Sequence, residues 1–119
     1  MQDQMEQARN VALSHSSMAT IDTESFFHGK EAYLSFIGKD QERQELAVLV
    51  GQVDDAVYTY PLKEGVSSKE AAFVVKEKSQ DAIDGVTFGR FKGKPIWEVK
   101  AGSSYYVVDF KTGKVIGVF

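Results

Sequence analysis

The chain of 119 residues contains no cysteine, which excludes disulfide scaffolds, thiolate zinc sites, iron–sulfur clusters and cysteine nucleophiles together. Histidine is almost as scarce, with two in the whole chain, so imidazole chemistry has few places to reside. No apolar run approaches the roughly 20 residues that cross a bilayer as a helix. The start also lacks the apolar stretch of a signal peptide. No G-x-S-x-G elbow and no complete phosphate loop occurs. What is present is an ordinary globular balance, 43% hydrophobic, 26% charged and 12% aromatic. A chain of this length buries roughly two-thirds of its unfolded surface, enough for a core without covalent staples.

The net charge of −3 is unevenly divided. Residues 1–63 hold ten acidic and five basic side chains, a net of −5, whereas residues 64–119 hold seven and nine, a net of +2. Nucleic-acid binders need a dense basic face to displace counterions from phosphates. Lysines scattered singly along the second half do not supply one, so no nucleic-acid partner is expected.

Helical spacing opens the chain. Met5, Ala8, Val11, Ala12 and His15 share one face of a helix expected over Gln2–Ser17, a stretch free of glycine and proline. Short apolar segments follow, read as strands over Ala19–Phe27, Ala32–Ile37, Leu46–Gly51 and Ala56–Leu62, with turn residues between them. The pattern then restarts. Ser67 or Ser68 caps a helix running through Gln80, with an acidic residue near the third position as in a capping box. Ala71, Val74, Val75 and Lys78 lie along one of its faces. Strands are expected over Ile83–Phe91, Pro95–Ala101, Ser104–Phe110 and Lys114–Phe119, with glycines at their turns.

The halves superimpose. Ala8, Val11 and Ala12 fall on Ala71, Val74 and Val75 at an offset of 63, as Leu34 and Phe36 fall on Trp97 and Val99. Residues 47–60 then lie over 106–119 at an offset of 59, the change being absorbed by a longer loop at 38–45. Each unit is therefore expected to be α+β, one helix packed on a curved antiparallel sheet of three to four strands. Leu34, Phe36, Val48 and Val50 are the expected helix-facing residues of the first sheet. Trp97, Val99, Tyr105, Val107 and Ile116 are those of the second. The boundary is placed between 1–63 and 64–119, and a lone unit of about 60 residues would be marginal by itself.

Reactive constellations are sparse. His15 continues the apolar helical face as a helix-end or partly buried residue, and His28 precedes a turn glycine and is expected in solvent. Two histidines without spaced carboxylates do not make a zinc site. Ser16–Ser17, Ser67–Ser68 and Ser103–Ser104 lie at element boundaries, where capping explains them better than nucleophilic catalysis. Gly29–Lys30, Gly93–Lys94 and Gly113–Lys114 are turns, and Asp54–Asp55 forms a type I turn, far short of the six oxygens calcium needs. Asp109, acidic in the apolar strand "YYVVDF", is expected to bond the following "KTGK" turn or, alternatively, to touch a partner. Paired aromatics (Phe26–Phe27, Tyr58 and Tyr60, Tyr105–Tyr106) place rings on both faces of their strands, one for core and one available to a partner. No catalytic, metal-binding or cofactor-binding residue is assigned. Tyr106 and Asp109 are the candidate partner contacts.

The stretch "IWEVKAGSSYYVVDFKTGKVIGVF" (96–119) resembles the end of a PepSY-type domain, through Trp97, Val99, Tyr105, Tyr106, Asp109, Thr112, Gly113 and Lys114. Over the whole chain, the repeated helix-plus-meander resembles the extracytoplasmic region of the YpmB/TseB-like proteins of Gram-positive bacteria, a tandem pair of cystatin-like, PepSY-related units. That resemblance implies a non-enzymatic protein-interaction module on the extracytoplasmic face of the cell membrane. It implies a role in cell-wall elongation through a penicillin-binding protein, and no cofactor. It also implies a single-pass N-terminal anchor; Met1 opens directly on a polar helical pattern, so an upstream segment is expected in the natural protein. The alternative function is a PepSY-type inhibitor or regulator of an exported peptidase.

Overall fold

The structure, a computed structural model, describes residues 3–54 and 56–119. Met1 and Gln2, at the expected start of the first helix, and Asp55 of the expected Asp54–Asp55 turn lie outside the described residues. Contacts divide the chain into two compact units that meet between Leu62 and Lys63. Each unit carries its own helix and its own four-stranded sheet.

In the first unit, helix α1 (Gln4–Ser14) begins where the Asp3 side chain accepts the Glu6 N–H at 2.7 Å. It stops three residues short of the expected Ser17. The reason is a run of serines: Ser14 and Ser16 donate their hydroxyls back to the carbonyls of Asn10 and Ala12, and the Ser16 hydroxyl then accepts from the Met18 N–H. Such side chains offer the backbone an alternative to continuing the helix. Strands β1 (Thr20–His28), β2 (Ala32–Lys39), β3 (Glu45–Gly51) and β4 (Val57–Pro61) follow as an antiparallel meander in sequence order. Ala8 and Ala12 bring α1 close to the sheet, where they meet Leu34, Phe36, Val48 and Val50 together with Met18 and Leu46. All four expected sheet residues are therefore core.

The β2–β3 connection is organised by Asp40, whose Oδ1 accepts the N–H groups of Glu42 and Gln44, both at 2.9 Å. Arg43 closes that loop in the left-handed region, at φ 66°. Strand β1 is bulged at Asp22, where its register against β2 shifts between Ile21 and Thr23.

One ion pair tethers the helix to that strand. Arg9 donates from Nε and Nη2 to the two carboxylate oxygens of Glu24, at 2.9 and 2.7 Å. The bond from Arg9 holds the Glu24 carboxyl below its ordinary range and raises Arg9. Because the folded-state value is the lower one, the pair contributes above the ordinary carboxylate range, and that contribution fades as pH falls through the lowered value. Both side chains are about one-third exposed, so the effect on stability is small. A carboxyl NMR titration is expected to find Glu24 below the ordinary range and to find it restored in Arg9→Ala. An unchanged value in that variant would remove Arg9 as the cause.

The second unit begins with helix α2 (Ser68–Lys76), capped by Ser67 rather than Ser68. The capping box is complete: the Ser67 hydroxyl accepts from the Glu70 N–H, and the Glu70 carboxylate accepts from the Ser67 N–H, both at 3.1 Å. The helix ends four residues before the expected Gln80, where Lys78 and Ser79 both donate to the Val75 carbonyl and close the last turn. Ala71 and Val75 are its buried residues, and it packs on strands β5 (Ile83–Phe91) and β6 (Lys94–Ala101). Strands β7 (Ser104–Asp109) and β8 (Val115–Val118) complete the sheet, again in sequence order. Phe88 packs edge-on against Trp97 and Phe110, with ring centroids 5.0 and 5.3 Å apart. Trp97 satisfies its indole N–H by donating to the Val66 carbonyl at 2.9 Å. Strand β5 is bulged at Asp84, between Ile83 and Gly85.

Here the sequence reading needs a correction. Trp97 and Val99 are core, and Val107 is buried, but Tyr105 is 40% and Ile116 39% exposed. The two-residue turn Gly102–Ser103 opposes Ala101 to Ser104, so Trp97 faces Val108 and Val99 faces Tyr106. Opposed residues share a face, so the face of Trp97 and Val99 carries the even-numbered residues of β7. In the first unit Phe36 opposes Val48. With Phe36 on Val99, Val48 falls on Tyr106, an offset of 58, and not on Val107 as the offset of 59 requires. A slip of one residue exchanges the two faces of a strand. Among the described residues, no helix is long and apolar enough to cross a membrane.

Candidate functional site

Tyr106 and Asp109 are not brought together. Tyr106 opposes Val99 and is half-buried, while Asp109 opposes Ile96 on the other face of the strand. Asp109 is 6% exposed. Its Oδ1 accepts the N–H groups of Lys111 and Thr112, at 2.8 and 3.1 Å. Its backbone closes the same turn, donating to the Lys114 carbonyl and accepting from the Gly113 N–H, each at 2.8 Å. Gly113 takes φ 75° there, a conformation that glycine adopts without steric cost. The turn-forming expectation for Asp109 is what the geometry displays. A buried carboxylate engaged in this way shapes the hairpin.

The remaining candidates are local features. His28 is exposed and stacks on the Phe26 ring at 5.8 Å, with the planes 11° apart. His15 is the exposed C-cap residue of α1, and its N–H donates to the Val11 carbonyl. Asp54 turns the β3–β4 connection by accepting the Ala56 N–H at 3.1 Å. Among the described residues, no group of three histidine, aspartate or glutamate side chains is placed to hold a metal ion.

What the sequence reading missed is a half-open trough on the first unit, about 710 Å³ in volume, between α1 and the β3–β4 hairpin. It arises because the small Ala8 and Ala12 seat α1 against β2 and β3, leaving the space beside β4 unfilled. Val11 walls the trough from the helix, Leu34 and Val50 line it from the sheet, and Val57 from β4. Gln4, Gln7 and Gln52 also line it, together with His15 and Asp54. Val53, at the hairpin tip, stands 97% exposed beside them. A volume of this size falls in the range of binding clefts for small ligands or inserted side chains. In the sequence, Gln4 and Gln7 sit three residues apart, on the same side of the helix as Ala8 and Val11. Both are exposed, and glutamines on that side of a helix suit bulk water equally well, so their spacing does not by itself mark a cleft. Its second wall, from β4, could not be anticipated without the strand's position.

The sequence and the fold both have relatives. A family model described as the cell wall elongation regulator TseB-like domain matches residues 7–51, the span from α1 to the end of β3. A search of curated proteins returns no match. Among solved structures, the YpmB protein from Bacillus subtilis is similar at 28% sequence identity and a TM-score of 0.87, covering 100% of this chain and 98% of that one. The match therefore includes both helices and both sheets. The first unit is therefore similar to the TseB-like domain of cell wall elongation regulators, and the chain as a whole is similar in fold to the YpmB protein.

Proposed function

We propose that the chain is the extracytoplasmic, non-enzymatic part of a regulator of cell-wall elongation, acting by direct contact with a synthase of the penicillin-binding type. The full-length similarity to YpmB carries this reading, because it extends the TseB-like match of the first unit to the entire chain. In this reading residues 1–63 and 64–119 are two PepSY-like modules, held at the membrane by an N-terminal anchor outside the chain described. Asp109 serves the contact by fixing the shape of the Lys111–Lys114 hairpin, and the adjoining Tyr106 supports that strand from its other face.

The test is reciprocal. The purified chain, immobilised, is expected to retain a penicillin-binding synthase from solubilised membranes of a Gram-positive cell, and the purified synthase is expected to retain the chain. Failure of both captures would overturn the proposal. Dose-dependent slowing of a secreted peptidase, without synthase capture, would replace it with peptidase regulation.

A further inference from the structure

We propose that the trough between α1 and β4 receives an extended, basic segment of a partner protein, which adds to the sheet beside β4 and seats one branched aliphatic side chain against Val50 and Val57. This rests on the contact function proposed above and gives it a location.

The edge strand supplies the first argument. The two sheets have four edges, β1, β4, β5 and β8. Three of them carry a register irregularity against their neighbours: β1 at Asp22, β5 at Asp84, and β8 opposite Val107 and Val108. Such bulges and inserted charges are how proteins keep an edge from pairing with another chain. Strand β4 pairs with β3 without any shift, and its residues Val-Tyr-Thr-Tyr-Pro include no charge. The Gly51 N–H donates to the Ala56 carbonyl. Antiparallel alternation then turns the backbone groups of Tyr58 and Tyr60 toward β3 and those of Val57 and Thr59 outward. That is the arrangement into which an incoming strand pairs.

Side-chain direction supplies the second argument. Val57 opposes Val50 and Thr59 opposes Val48, both residues of the helix-facing core. A strand added beside Val57 and Thr59 therefore directs alternate side chains toward the α1 side, where the trough lies. Its apolar floor accepts an aliphatic group. The carboxamides of Gln4, Gln7 and Gln52 each both donate and accept, matching a peptide backbone.

Charge selects among segments. Among the described residues, no lysine or arginine lines the trough, whereas Asp54 does. The first half has a net charge of −5. Two of its cations, Arg9 and Lys39, are already paired with Glu24 and Asp22 on the opposite edge. The field at the trough favours a basic segment.

The test uses the whole chain and two probes, the peptide Lys-Val-Thr-Leu-Thr-Val-Lys and its counterpart with glutamate at both ends. The lysine peptide is expected to slow amide exchange at Val57 and Thr59, and to bind at least about tenfold more tightly than the glutamate peptide. Thr59→Pro deletes an outward N–H without removing a ladder bond, so it is expected to abolish binding while Thr59→Val retains it. Gln7→Lys, on an exposed rim position, is expected to weaken the lysine peptide and narrow or reverse the preference. That variant decides the matter if Thr59→Pro does not fold. Absence of binding by either peptide, equal affinity for both, or protection elsewhere would overturn the proposal. Protection at Val57 and Thr59 that grows with protein concentration alone would identify a second copy as the occupant and overturn it equally. If wild type, Thr59→Pro and Gln7→Lys all capture the synthase alike, the contact function stands and this site falls. If wild type captures none, the function itself falls.

Discussion

Phe36→Ala is expected to unfold the first unit. The Phe36 side chain is wholly buried between β1 and β3, opposing Glu24 on one side and Val48 on the other. It belongs to the cluster that joins α1 to the sheet. Truncating a buried phenylalanine costs about 3–5 kcal/mol, the lost transfer energy plus the cavity left behind. A unit of this size has a total stability of only roughly 3–9 kcal/mol. Loss of slow amide exchange throughout β2 and β3, with a reduced far-UV signal, is the measurement. Phe36→Leu, which preserves most of the volume, is expected to keep the fold with a lower melting temperature. Unchanged exchange in the alanine variant would mean that this ring is not what holds α1 on its sheet.

The second large effect is expected from a single added carbon. A Cβ at Gly38 would overlap the carbonyl oxygen of Thr20 and approach the Ile21 Cα to 3.1 Å. Both contacts are with backbone, beside the bulge at Asp22, so no side chain can swing aside to make room. Gly38→Ala must move β1, breaking the bond from the Ala19 N–H to the Lys39 carbonyl or stretching the pairs around it. Overpacking of this kind costs about 1–3 kcal/mol, a fall of roughly 4–8 °C in melting temperature per kcal/mol in a domain this small. Gly85→Ala is the control. It also adjoins a bulge, but a Cβ there meets nothing within 4 Å, so no comparable fall is expected. Equal losses at the two positions would show that the steric contact at Thr20 is not the cause.

These two positions mark how far the sequence could be read. The helical stripe through Ala8 and Ala12 was legible because burying one face of a helix forces a spacing of three and four residues. Ser67 and Glu70 announced the second helix because a capping box is local chemistry. Eight strands and their order followed from short apolar stretches separated by turn residues. The faces of β7 were not assigned correctly from spacing between the halves, since an alignment that is one residue out reverses them. The turn Gly102–Ser103 held the answer, because a two-residue connection obliges odd-numbered residues of β6 to face even-numbered ones of β7. Gly38 gave no warning, as its role depends on how closely β1 approaches at a bulge. The position corresponding to it in the second unit, Ala101 opposite Ile83, tolerates a side chain. Likewise the trough beside β4 is a gap between elements, and hydrophobic patterning describes what is filled.

The buried indole of Trp97 has a practical consequence. It is the chain's one tryptophan, it is 5% exposed, and its N–H is engaged by the Val66 carbonyl. Excited at its red edge, the protein therefore emits from the second unit alone, with a spectrum that shifts when water reaches that indole. The first unit has tyrosines at positions 33, 58 and 60 and no tryptophan, and its melting is silent in that channel. The wild-type sequence thus carries an optical label on one half, so the opening of the second unit can be timed by itself without introducing a dye.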